Sequence, residues 1–373
     1  MSLASAAAVW ANLERRRYEP IAIRIEKDGR WVLADRPPSA ASAAEVIQQT
    51  RSDAARLRGG REVLLAPRPG DPAIVVLDSR PGKDGKEKED EAPTALASLG
   101  VDVVFPVLHG PLGEDGTIQG LLELANLPYG GSGVLASAVG RDKLLMKTVF
   151  RAYGLQVPDW IGVTRREWQA NPGAVADRVT ATLKYPVFVK PANMGSSVGI
   201  SKVASPDALS AAMKLATEFD RRIAIETGVP DAREIECSVM GNGEPEASVP
   251  GEIVPSREFY DYEAKYIDSG SRTVIPAELD ARTSDEIRKL AVRAFQSIDG
   301  AGLARVDFLL SRSTGALYLN EINTMPGFTT ISMFSKMWSA SGVDYQTLVD
   351  RLITLALERH AEKQELKTSL FSA

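Results

Sequence analysis

The stretch Leu319-Asn320-Glu321-Ile322-Asn323-Thr324-Met325-Pro326-Gly327, read together with Asp307, constrains this chain most tightly. Glu321 and Asn323 are two residues apart after the apolar run Ala316-Leu317-Tyr318-Leu319. On a β-strand that spacing puts both side chains on one face. Asp307 follows Gly302-Leu303-Ala304-Arg305-Val306 and precedes Phe308-Leu309-Leu310, so it too reads as a strand residue. Neighbouring strands would then gather two carboxylates and a carboxamide oxygen, a donor set suited to magnesium. The alternative is a salt-bridged sheet edge, but strand carboxylates among apolar residues are seldom found without a partner or a task. Arg305 lies two residues before Asp307 and shares its face, where a guanidinium could stabilise oxyanion charge.

Composition narrows the class. The 373 residues suffice for roughly two or three domains. A hydrophobic content of 44% with 25% charged residues is that of a globular protein. The net charge of −5 argues against a nucleic-acid partner. No apolar run has the length of a membrane span, so no membrane partner is expected. The single cysteine, Cys237, excludes an internal disulfide and fits a reducing compartment; it reads as a core residue.

A helix is expected over Ala4 to about Arg17. The first third then shows short apolar strands at Ile21–Ile25, Ala73–Leu77 and Val101–Leu108, the rhythm of an open α/β domain. The charged run 80–91 reads as a solvated loop. From Arg141 a helix opens, and Tyr185–Lys190 and Ile200–Val203 flank the loop Gly195-Ser196-Ser197-Val198-Gly199 as a hairpin flap. A strand at Arg222–Glu226, a hinge over Thr227–Ala232 and a closing helix at about Tyr345–Lys363 complete the outline.

Lys143 and Lys190 stand at element ends facing a probable cleft, where they could hold nucleotide phosphates as point charges; either alone could equally be a surface lysine. The loop after Lys190 offers backbone N–H groups and hydroxyls to phosphate, although it is not a Walker loop. His109 follows an apolar strand within the glycine-rich segment 109–116, and ligands of α/β folds bind at such strand ends. Ser332, with the N–H groups of the turn from Pro326, could receive a carboxylate. The run Phe259–Tyr266 reads equally as a lid or as an edge strand of stacked tyrosines. His360 reads as a surface residue of the last helix.

Taken together, four segments resemble the D-alanine–D-alanine ligase family of the ATP-grasp superfamily: residues 109–120, Lys190 to Gly199, Tyr260 to Tyr266, and Glu321 to Gly327. The likeness runs from Ser2 to the final helix. It implies an α/β chain, α+β in its later parts, with an N-terminal domain over 1–140, a central ATP-grasp subdomain over 141–228 and a C-terminal metal-bearing subdomain over 229–373. It implies a cytoplasmic homodimer that joins two D-alanines for peptidoglycan through an acylphosphate, with ATP as co-substrate. Lys143, Lys190 and Ser197 would hold ATP, Glu226 would lie near the adenine, and Glu234 would bind the ribose. Asp307, Glu321 and Asn323 would hold two magnesium ions, with manganese as a substitute. Arg305 and the Gly327 N–H would stabilise the tetrahedral oxyanion, and His109 and Ser332 would bind substrate. Ser196, Lys265 and Tyr266 would complete the catalytic set, the last two on a closing loop that excludes water.

The family opens with a strand and a glycine-rich turn whose glutamate binds the ammonium of the first D-alanine. This sequence opens at Met1-Ser2-Leu3, which implies a start assigned too late or a shortened N-terminal domain. The alternatives of function are a D-alanine–D-lactate ligase, a broader ATP-grasp ligase, and an ATP-binding protein without turnover. Tyr266 favours the dipeptide.

Overall fold

The computed structural model describes residues 2–34, 61–67, 69, 74–78, 94–255 and 272–367. The charged run 80–91 and the segment holding Lys265 and Tyr266 lie outside the described residues, as do residues 368–373.

The chain opens with a helix over Ser2–Asn12, which turns Ser5 and Val9, one helical turn apart, into the protein. It stops earlier than the sequence suggests. The Asn12 side chain donates to the Ala8 carbonyl, and Arg17 and Tyr18 are drawn away to Asp350 on the closing helix, at 2.7 and 2.6 Å.

Among the described residues the strands form three sheets. The first contains β1 (Ile23–Ile25), β2 (Trp31–Leu33), β3 (Arg61–Leu65), β4 (Ile74–Asp78) and β5 (Thr94–Leu99), paired in chain order. All these pairings are antiparallel, so the parallel sheet of an open α/β domain is not what the described strands make. The strand expected over 101–108 is absent as well. Val104 forms one isolated parallel bridge with Tyr129, and Pro106, which has no N–H, prevents a ladder from extending.

The second sheet orders β6 (Trp160–Thr164), β9 (Arg222–Thr227), β7 (Val187–Pro191) and β8 (Ser201–Val203). β7 and β8 pair antiparallel around the serine loop, the expected hairpin flap. Val187, Val189, Val203, Ile223 and Ile225 face a core shared with Met213 of the Leu209–Phe219 helix and Val179 of the Pro172–Thr182 helix. Phe188 and Lys190, both half-buried, alternate to the other face.

The third sheet centres on two long strands, β10 (Ala232–Gly241) and β14 (Gly302–Ser311). It also holds β11 (Glu246–Ala247), β12 (Gly251–Val254), β13 (Arg272–Val274) and β15 (Leu317–Asn323). Ile235, Cys237, Val306, Phe308 and Ile322 pack on Ile287, Ala291 and Phe295. Those three recur at helical spacing on the Ala281–Ser297 helix, which Asp280 caps at the Thr283 N–H, 2.9 Å. Each fully buried side chain of Phe or Ile size contributes about 2–3 kcal/mol of apolar transfer. The closing helix spans Tyr345–Gln364 and leaves His360 half-buried rather than on the surface. No helix among the described residues is long and apolar enough to cross a membrane.

Candidate active site

Pairing register builds the first half of the site. Asp307 of β14 stands directly opposite Glu321 of β15, and Arg305 opposite Asn323. Directly opposed antiparallel residues share a face, so all four side chains emerge together. β10 runs along the other edge of β14 and sets Glu236 opposite Asp307. Glu234, two residues earlier on β10, lies on the same face.

A β-bulge makes this possible. The register steps from Asp307↔Glu321 to Phe308↔Leu319, leaving Asn320 as the extra residue. Strict alternation would put Leu319 on the face of Glu321. The bulge turns it instead into the core, where it is 2% exposed.

Arg305 binds both carboxylate oxygens of Asp307 at 2.7 Å, and its Nε lies 3.2 Å from Glu236 Oε2. Burial works against the guanidinium charge, but Asp307, Glu236 and Glu321 more than offset it, so Arg305 stays cationic.

The second half comes from the middle sheet and a helix. Asp142 caps the Lys143–Ala152 helix by accepting from Leu144 N and Leu145 N at 3.1 and 3.0 Å. Its other oxygen pairs with Arg222, and Lys143 N donates to the Ala192 carbonyl at 3.0 Å. These contacts fix the helix start against the ends of β7 and β9. The Lys143 Nζ donates to the Met194 carbonyl at 2.6 Å. Burial lowers its pKa to about 8 against the pull of Glu321, and neighbouring Lys190 lowers it further.

Lys190 forms an ion pair with Glu226 on adjacent β9. Lys147, one turn along from Lys143, approaches Glu226 Oε2 at 2.9 Å and donates to the Asn320 carbonyl at 3.1 Å. Burial would raise the Glu226 pKa, but Lys147 and Lys190 overcome it and bring it to about 2. The fields of Glu321 reach Lys143 and Lys147, so the two halves converge.

Ser196 and Ser197 both adopt left-handed backbone, φ 54° and 59°. Such residues cost about 1–3 kcal/mol each and collect at functional loops. Gly199 follows at φ 71°, where a Cβ would come within 2.9 Å of Pro191.

His109 lies beside Met325, whose carbonyl accepts from Nδ1 at 3.1 Å. That fixes the proton on Nδ1 and leaves Nε2 to accept from the Ser5 hydroxyl at 2.8 Å. Ser5 Oγ in turn accepts from Phe328 N at 3.2 Å. Burial lowers the pKa of His109 and keeps the ring neutral. Glu114 pairs with Arg141 at 2.5 Å, and Arg141 packs against Gly195 of the serine loop. Ser332 Oγ bonds Thr329 within the turn after β15, and half-buried Gly327 sits in that turn.

The structure therefore gathers Arg305, Asp307, Glu321, Asn323 and Glu234 on one sheet, Lys190 and Glu226 on another, and Lys143 at the start of the helix beside it. Glu236, Lys147 and Ser5 were missed in the sequence. Glu236 had a signal in the alternation Glu234-Ile235-Glu236-Cys237, and Lys147 in its helical spacing from Lys143; Ser5 had none. The donors Asp307, Glu321 and Asn323 are all oxygens on one face, two of them directly opposed, which fits a hard divalent cation. A sheet-borne oxygen cluster facing a lysine cluster is the charge arrangement that a polyphosphate with its divalent metal would require.

Comparison with known proteins agrees. Residues 1–132 match the family model for the D-ala D-ala ligase N-terminus, and residues 149–354 the model for the D-ala D-ala ligase C-terminus. A D-alanine–D-alanine ligase of Thermoanaerobacter sp. (strain X514) is 46% identical over 372 residues, covering 97% of this chain and 94% of that protein. One from Geobacillus thermodenitrificans is 45% identical, covering 98% and 93%. The solved D-alanine-D-alanine ligase of Coxiella burnetii superposes with a TM-score of 0.78 at 35% identity, covering 98% of this chain and 91% of that one. The VanG D-Ala:D-Ser ligase of Enterococcus faecalis gives 0.78 at 30% identity, covering 95% and 94%. This chain belongs to the D-alanine–D-alanine ligase family, and its architecture is that of the ATP-grasp ligases.

Proposed function

We propose that this chain joins two D-alanines into D-alanyl-D-alanine for peptidoglycan, converting ATP to ADP and phosphate. The carboxylate of the first D-alanine attacks the γ-phosphate and becomes an acylphosphate. The amine of the second attacks that carbonyl, and phosphate departs. Family membership supports this reading, and the observation that carries it is the register Asp307↔Glu321 and Arg305↔Asn323 facing the lysine cluster.

Each residue has a task in it. Lys143 and Lys190 neutralise the phosphates, and Ser197 with the serine loop donates to them. Glu226 lies near the adenine and Glu234 receives the ribose. Asp307, Glu321 and Asn323 would hold two magnesium ions, or manganese, which supply charge neutralisation on the phosphates when bound. Arg305 is held between Asp307 and Glu236, at 2.7 and 3.2 Å, and this places its guanidinium to stabilise the developing oxyanion. The Gly327 N–H assists at the oxyanion. His109, held by the Met325 carbonyl, would bind substrate, Ser332 holds the carboxylate of the second D-alanine, and Ser196 closes the first subsite. Lys265 and Tyr266, outside the described residues, belong to the loop that keeps water from the acylphosphate. Three domains over 1–140, 141–228 and 229–373, a cytoplasmic setting and a homodimer are the corresponding whole-protein expectations.

The test is phosphate release from ATP and Mg²⁺ with and without D-alanine, with the product identified by mass. Release that requires D-alanine and yields D-alanyl-D-alanine is expected. ATP binding without any D-alanine-dependent turnover would overturn the proposal. D-lactate and D-serine as second substrates define the acceptor.

A further inference from the structure

Lys147 is 1% exposed, so it cannot meet a ligand in the cleft, yet it is a charged side chain in the interior. Its amine has two partners. It forms an ion pair with Glu226 Oε2, 2.9 Å away, and donates to the Asn320 carbonyl, 3.1 Å away, belonging to the bulge residue left outside the β14–β15 register. Lys147 thus joins the middle sheet to β15 beside Glu321.

Glu226 is 2% exposed and is shared between Lys147 and Lys190. The two lysines differ in access. Lys190 is 13% exposed on the face of β7 turned away from the apolar core, whereas Lys147 is sealed between Glu226 and the Asn320 carbonyl. A nucleotide phosphate can therefore recruit Lys190 but not Lys147. When Lys190 leaves, a buried carboxylate would stand without a cation, and that is strongly unfavourable unless another charge remains beside it.

We propose that Lys147 is the resident counter-ion of Glu226, a positioning residue that keeps the carboxylate neutralised and so frees Lys190 to exchange between Glu226 and a nucleotide phosphate. This rests on the ATP-binding reading above. It makes Lys147 act on nucleotide affinity only through Glu226. Without Lys147, Lys190 is pinned to Glu226, and the nucleotide must compete with a buried ion pair.

The experiment is titration calorimetry of the full chain with Mg²⁺ and a non-hydrolysable ATP analogue, on wild type, Lys147→Met, Glu226→Gln and the double variant. Lys147→Met is expected to weaken binding roughly tenfold or more. In turnover it should raise KM for ATP while kcat at saturating ATP stays within about threefold, because no reacting group is touched. Adding Glu226→Gln removes the charge that pins Lys190, so the double variant should bind within about threefold of Glu226→Gln alone. A double variant that binds about tenfold more weakly than Glu226→Gln overturns the proposal, since Lys147 would then act independently of Glu226. That comparison decides the question even if Lys147→Met alone fails to fold, because the double variant removes both members of the buried pair, and in Glu226→Gln the Lys147 ammonium keeps the Asn320 carbonyl and gains a neutral amide oxygen as acceptor. A wild-type chain that binds no analogue overturns the ATP-binding reading itself, a result distinct from additive variants of a chain that binds.

Discussion

Asp307 holds one charge in the structure, and the proposed cation would be a second, which makes it the most sensitive residue of the site. Both its oxygens hold the Arg305 guanidinium. Asp307→Asn should lower D-alanine-dependent phosphate release at least about a hundredfold if the proposed cation role holds. It should also destabilise the chain by about 2 kcal/mol in urea unfolding, since Arg305 would lose its bidentate partner and keep Glu236 at 3.2 Å. Lys143 gives a prediction in pH. Its pKa of about 8 means that the charge proposed to face the phosphates is lost as pH rises through that value. ATP-analogue affinity should weaken about tenfold between about pH 7 and about pH 9, and Lys143→Met should flatten the profile. His109 gives a prediction in stability. Its pKa lies below the ordinary 6.5, so below that value the unfolded chain binds the additional proton. The stability contributed by the neutral ring is present above 6.5 and is lost as pH falls toward the folded value. The urea midpoint should drop between about pH 7.5 and about pH 5.5, and His109→Gln should drop less.

Local elements were largely legible. The 187–203 hairpin, the closing helix and the Arg222–Thr227 strand follow from alternation and apolar periodicity, because each lies on an edge or face whose neighbours are apolar. The N-terminal elements were less so. Helix propensity continues through Arg17, but Asp350 competes for Arg17 and Tyr18 and ends the helix at Asn12. Parity also fails at Asn320, since a bulge is a property of a pair of strands and no single strand announces it. The Lys143–Ala152 helix shows how an element end carries function. Asp142→Ala removes its cap and the partner of Arg222 and should cost about 2–3 kcal/mol by thermal unfolding. It should also raise KM for ATP, because the cap sets where Lys143 begins.

At the scale of the whole molecule, Ser5 links three distant parts. Its oxygen joins the first helix to the His109 loop and, through Phe328 N, to the turn after β15. Ser5→Ala should cost about 1–3 kcal/mol in denaturant unfolding for the two lost bonds. It should also raise KM for D-alanine more than KM for ATP, because the contacts lie beside Met325 and Phe328 rather than at the lysine cluster. Equal changes in both would show that Ser5 supports the fold only.

The sequence by itself determined the donor chemistry. Asp307, Glu321 and Asn323 at strand spacing, Lys190 before a serine loop, and His109 in a glycine-rich turn are local facts, set by side-chain period and turn chemistry. Tertiary structure decided which charges meet. The pairing of Lys147 with Glu226, of Glu236 with Arg305 and of Ser5 with His109 joins residues 79, 69 and 104 positions apart. Buried charges and dipoles take whatever partner the packed sheets bring within about 3 Å, and only closure of the chain makes that choice.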